Sequence, residues 1–214
     1  LSFWITDPGI SFRESFERHK SIEQIPYLYH FILKIIFEIF NYESHLGRYL
    51  SFFFNILGIF FATILCKNIK NNNSYLLALF LFSTNIFLIN YSQELRPYSM
   101  IFFLCALNLY LFFKLLTIPR GKKTKSYYFV AMVFSNILMI ISHPFSLIIF
   151  ISTSIFLFFD FFKNKRDLKM IHHIFTLSIV FSIIYLIFLF ANLKTFPTWI
   201  TQPDFKFYTN LYFS

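Results

Sequence analysis

Four ionisable residues, Asp7, Glu94, Arg96 and His143, stand out against long apolar surroundings. A carboxylate can take up a proton or share a divalent ion, and a guanidinium offers five N–H donors in a planar fork that matches two oxygens of a phosphate. Glu94 and Arg96 sit in "YSQELRPYS", Tyr91 to Ser99, between "LLALFLFSTNIFLI" and "MIFFLCALNLYLFF". Pro97 favours an extended backbone at Arg96 and a helix beginning at Tyr98 or Ser99, a place that suits a bound anion. Glu94 can pair with Arg96 or, together with Asp7, ligate a divalent ion. His143 lies in "SHPF", with Pro144 suited to the first position of a helix, and either contacts an anion or caps that helix. Plainer roles stand beside these: Asp7 as a turn residue before Pro8, and Arg96 as an interfacial cation held by Glu94 or by lipid headgroups.

The elements that must position these residues are membrane helices. The chain is 57% hydrophobic, 23% aromatic and only 14% charged, unlike a soluble domain of 214 residues. Apolar runs approach the ~20 residues that cross a hydrocarbon core. An all-α, polytopic fold with about six spans is expected, at Leu46 to Cys66, Tyr75 to Asn90, Ser99 to Leu116, Tyr127 to Ile141, Pro144 to Phe162 and Ile174 to Ala191. The second and fourth are short. This divides the chain into an outer-face segment, 1–45, a helical core, 46–191, and a second outer segment, 192–214. It opens at Leu1 without a charged leader and ends in "FKFYTNLYFS", which reads as an incomplete fragment. Cys66 and Cys105 lie inside apolar runs and suggest neither a disulfide framework nor a thiolate metal site.

Charge orients the spans. Lys67 and Lys70, then Arg120, Lys122, Lys123 and Lys125, then Lys163, Lys165, Arg166 and Lys169 fall in alternate loops, which the positive-inside bias assigns to the cytoplasm. The formal charge of +9 therefore reports topology and contact with membrane lipids rather than a nucleic-acid partner. Seven of the ten acids, from Asp7 to Glu94, fall on the opposite, outer side. Within "YLYHFILKIIFEIFNY", Lys34 and Glu38 are four apart, which marks a helix lying along the interface with that pair on its polar face.

The order of an acid after "SFW", then "QIPYLYHFILKIIFEIFNYESHLGRYLSFFFNILGIFFATIL", then "NYSQELRPYSMIFFLCALNLYLFF" resembles the C-type membrane glycosyltransferases, in the branch of dolichyl-phosphate-mannose protein mannosyltransferases and lipid A aminoarabinose transferases. The resemblance covers roughly residues 1–116, and "SQELRPY" is its most specific part. It implies an outer loop with juxtamembrane helices, and a multi-pass protein of the cell envelope, in the inner (plasma) membrane of a bacterium. It further implies transfer of a sugar from a polyprenyl-phosphate donor to a lipid, glycan or protein acceptor. By that resemblance Asp7 is the general base or a metal ligand, Glu94 its catalytic or metal-binding companion, and Arg96, Arg48 and His143 contacts to the donor phosphate. Mg or Mn is the divalent cation such a site would take. The family often carries two adjacent acids, whereas Pro8 follows Asp7, which puts a two-carboxylate site in doubt. Arg48 is equally readable as a snorkelling arginine, and Tyr27, Tyr29, Tyr91 and Tyr98 as interface-belt aromatics.

Two competitors remain at the level of sequence. One is a ligase moving a whole polyprenyl-linked glycan; the other is a non-enzymatic lipid-linked sugar transporter or flippase, for which Asn85, Asn108 and Asn136 are the available mid-span polar residues. Glycine-rich phosphate loops, zinc spacings and a Ser-His-Asp order are absent from the sequence.

Overall fold

A computed structural model describes residues 2–23, 25–40, 42–69, 74–118, 123–144 and 146–164, with Val180, Ile183 and Ile187. Among the described residues every regular element is an α-helix. Three short helices, α1 (Ser2–Ile5), α2 (Phe12–Ile22) and α3 (Leu28–Ile39), precede the long α4 (Ser44–Ile69). The polar start of the chain is thus a folded layer. Ser11 caps α2, its hydroxyl accepting from the N–H of Glu14.

α4 shows why helices of this chain pack as they do. Its buried positions are Gly47, Ser51, Asn55, Gly58 and Ala62, spaced three or four apart, while Phe52, Phe53, Ile56 and Phe60 are exposed. Small residues face the protein and large apolar ones face outward, the reverse of a soluble amphipathic helix and the arrangement lipid favours. That seam meets α7 (Tyr98–Thr117) so closely that a Cβ on Gly58 would stand 2.4 Å from Cδ1 of Phe102 and 3.2 Å from the backbone N of Phe103. The two helices run parallel along their length, from Gly47 beside Leu95 to Asn68, whose Oδ1 accepts from Lys114 Nζ at 2.9 Å.

The return from α4 to α7 departs from expectation. The apolar run Tyr75 to Asn90 reads as one span, but it forms α5 (Ser74–Ser83) and α6 (Ile86–Gln93), bent by 52°. Asn85 causes the break: its side-chain oxygen caps a new helix by accepting from Phe87 N and Leu88 N, while the hydroxyls of Ser83 and Thr84 turn back to carbonyls four residues earlier. α8 (Lys123–Ile140) then runs back along α7, tied by Asn108 Nδ2 donating to Asn136 Oδ1 at 2.6 Å, and α9 (Ser146–Asn164) follows. Pro144 stands in the turn rather than opening α9, because Ser146 takes the helix start, its hydroxyl donating to the His143 and Met139 carbonyls.

Among the described residues two helices, α4 and α7, are long and apolar enough to cross a membrane, or three if the bent pair α5 and α6 is one span. The apolar stretch of α8, Ser126–Ile140, is shorter. The expected segment Ile174 to Ala191 and the tail from residue 192 lie outside the described residues, apart from the three single positions in the former. Because consecutive helices alternate in direction, α1–α3, the turn 94–97 and the turn at His143 gather at one end. Lys67 and the start of α8 stand at the other.

Candidate functional site

The turn between α6 and α7 is held from below by side chains of other elements. Tyr29 of α3 bonds to Ser51 of α4 at 2.6 Å, and Ser51 donates to the carbonyl of Glu94, also at 2.6 Å. Ser2 of α1 donates to the carbonyl of Leu95 at 2.7 Å. Leu95 packs where Gly47 has no side chain; a Cβ there would lie 2.6 Å from its Cδ2. The buried carbonyls of the turn are satisfied, and the side chains of Glu94 and Arg96 are left exposed. Burial pushes the Tyr29 hydroxyl up to about 12, so it stays protonated and remains a donor in this chain.

Arg96 sits among polar neighbours. The hydroxyl of Tyr98 beside it, with Glu23 and Glu94 nearby, raises its pKa above that of an ordinary arginine. Tyr98 in turn lies against Tyr91 (ring centroids 4.8 Å apart) and His143 (6.3 Å). Arg96 and His143, far apart in sequence, therefore both neighbour one phenol ring. His143 is buried, and burial lowers its pKa, which makes it a neutral donor or acceptor rather than a second cation. Tyr98, which the sequence offers as a belt aromatic, is the residue that organises this group; its place beside Arg96 across Pro97 was the available signal.

Asp7 stands on a turn of its own. One carboxylate oxygen accepts from the N–H of Gly9 at 2.8 Å, an Asx turn, so the plainer role as a turn residue is present in the structure. The carbonyls of Asp7 and Ile10 accept from Lys34 Nζ, at 3.0 and 2.9 Å. Lys34 does not lie on an interfacial polar face; it is fully buried, with Glu38 Oε1 at 2.9 Å. Tertiary contact with the 7–10 turn overrides the amphipathic pattern of α3 here.

α3 also relates the two turns. His30, one helical turn before Lys34, lies 3.4 Å through Nε2 from Ser2 Oγ, the same hydroxyl that reaches Leu95, and its pKa falls to about 3 through burial and the charges of His19 and Arg96. The Asp7 turn and the Arg96 turn are thus anchored on successive turns of one helix, though no hydrogen bond or ion pair joins Asp7 to Glu94 or Arg96 among the described residues. Arg48 is exposed, one residue beyond Gly47. It is near the group in the chain but makes no ion pair among the described residues.

Comparison of the chain with family models, curated proteins and solved structures finds no match. The site is therefore read from its own groups. Among the described residues no three His, Cys, Asp or Glu side chains come together as a metal cage, and Asp7 already shares one oxygen with Gly9. What the arrangement offers is an exposed guanidinium at the start of a long apolar helix, with the phenol of Tyr98 beside it, a neutral imidazole against that phenol, and a held carboxylate on the neighbouring turn.

Proposed function

We propose that the chain belongs to a membrane glycosyltransferase that moves a sugar from a polyprenyl phosphate to an acceptor at the outer face. One observation carries the reading: Arg96 is exposed at the head of an apolar helix, on a turn whose backbone is held by Ser51 and Ser2. A donor with a lipid tail in the membrane and a phosphate at its edge needs a cation at that depth. The sequence resemblance centred on "SQELRPY" supports the same donor class.

In this reading the carboxylate of Asp7 takes the proton of an acceptor hydroxyl or amine as its oxygen or nitrogen bonds to the anomeric carbon. The bond from that carbon to the phosphate oxygen breaks, and the lipid phosphate leaves with the electron pair. Its charge rises by one, and Arg96 holds the oxygens that receive it. Tyr98 fixes the guanidinium, His143 supplies a neutral hydrogen bond, and Glu94 balances Arg96 in the absence of donor. The reading includes six crossings, α5 with α6 as one bent crossing, in a bacterial plasma membrane with the basic loops inside. Asn85 caps a helix and Asn108 pairs with Asn136, which supports transfer over passage along a polar mid-membrane path.

The test is the rate of sugar transfer from a polyprenyl-phosphate sugar by the full-length protein carrying Arg96, Arg96→Lys or Arg96→Ala. Both variants should lose at least about a hundredfold, since an ammonium cannot reproduce the two-oxygen fork. Full activity of Arg96→Lys with loss in Arg96→Ala would reduce the role to charge, and full activity of Arg96→Ala would remove Arg96 from the site. Acceptance of a lipid-linked glycan but not of a single sugar would mark a ligase.

A further inference from the structure

We propose that Lys34 is the positioning residue for Asp7, pinning the Asp7–Ile10 turn to α3 so that the carboxylate is held at a set place; this rests on the transferase reading above. Lys34 is 0% exposed; its ammonium donates to the Asp7 and Ile10 carbonyls and pairs with Glu38 Oε1 at 2.9 Å. The ring of Phe12 closes the fourth side, 5.0 Å away. A buried ammonium is costly unless fully paired, and a methionine would fill similar space without that cost. What methionine cannot do is hold two carbonyls of one turn.

The turn needs holding because it is short of contacts of its own. Ile10 N donates weakly to the Asp7 carbonyl at 3.3 Å, and Gly9 N donates to the Asp7 carboxylate at 2.8 Å. Gly9 leaves room for that bond, since a Cβ would lie 3.2 Å from Oδ1. Lys34 grips the carbonyl end of Asp7 while Gly9 grips one carboxylate oxygen, leaving the second oxygen available. Glu38 neutralises Lys34, so the clamp fixes the carboxylate's position without setting a strong positive charge against it.

The experiment compares full-length wild type, Lys34→Met and the double variant Lys34→Met/Glu38→Leu in nanodiscs. The double variant removes the ion pair whole and so avoids stranding a charge. Amide exchange at Gly9 and Ile10 should quicken at least about tenfold in both variants while exchange along α7 is unchanged. With polyprenyl-phosphate mannose and polyprenyl-phosphate aminoarabinose as donors, kcat should fall at least about tenfold with KM for the donor unchanged, because Arg96 is untouched. Adding Lys34→Met to Asp7→Asn should cost nothing further. Unchanged exchange at Gly9 and Ile10 in the folded double variant overturns the pinning, and a fall in kcat fully additive to that of Asp7→Asn overturns the positioning. Wild-type protein that moves no sugar from either donor, with exchange still faster in the variants, overturns the transferase reading and leaves the clamp standing.

Discussion

The layer of α1–α3 and the α4–α7 pair are built on opposite rules. In the first, polar side chains reach backbone carbonyls of distant turns: Lys34 to Asp7 and Ile10, Ser15 to Ile5, His19 to Ile25, Ser2 to Leu95. In the second, α4 presents a seam of small residues to α7 and turns its phenylalanines outward. Water can satisfy a stray carbonyl in the first region, so specific side chains must outcompete it; lipid cannot, so helices satisfy their own carbonyls and shape decides most of the contact, with the Lys114–Asn68 bond added at one end. The region proposed to do chemistry is specified by hydrogen bonds, and the region that carries it by fit.

That contrast can be broken at several points. The largest effect should come from Gly58→Leu, where the new side chain meets the Phe102 ring and the Phe103 backbone and α4 must leave α7; a loss of about 3 kcal/mol or more is expected, read as thermal unfolding in detergent. Gly47→Ala should cost less, because the nearest atoms in its way belong to the side chains of Leu95 and Leu33 and not to backbone.

Asp7→Asn should slow transfer at least about a hundredfold, about 2.7 kcal/mol in activation free energy, with unfolding temperature unchanged. The isosteric amide still accepts from Gly9, so an active Asp7→Asn would return the residue to a turn role only.

Acid should separate the two regions. Burial holds His30 neutral down to about pH 3, against an ordinary value of 6.5, and lowers His19 as well. Below that ordinary value the unfolded chain binds protons that the folded layer refuses, so stability is full above it and falls as pH falls. By pH 5 the loss from His30 alone is about 2 kcal/mol. Amide exchange in α2 and α3 should quicken on acidification while that of α4 and α7 does not, and His30→Gln should flatten the dependence. Smallest is Asn136→Leu, which removes the acceptor of the Asn108 amide and should cost about 1 kcal/mol, since a hydrogen bond between membrane helices is worth little more.

Much of this architecture is legible along the chain. Apolar runs announce helices, and α4 and α7 fall within a few residues of Leu46 to Cys66 and Ser99 to Leu116. Pro97 sets the start of α7 at Tyr98 because its ring presets a helical φ and it has no N–H to lose. The break at Asn85 was less legible: asparagine inside an apolar run reads as a polar spot in one span, and only the direction of its side-chain oxygen makes it a cap.

By itself, then, the sequence determined the helices, the apolar length of two of them and the presence of Arg96 at a helix start. These follow from local rules: residue hydrophobicity, proline geometry and the 3.6-residue repeat. Only the tertiary structure decided that Lys34 is buried under Asp7, that Tyr98 lies beside both Arg96 and His143, and that Tyr29, Ser51 and Ser2 carry the turn between them. The physical reason is that a carbonyl's partner is whichever donor the fold brings within about 3 Å, a property of chain crossings tens of residues apart and not of spacing within any one helix.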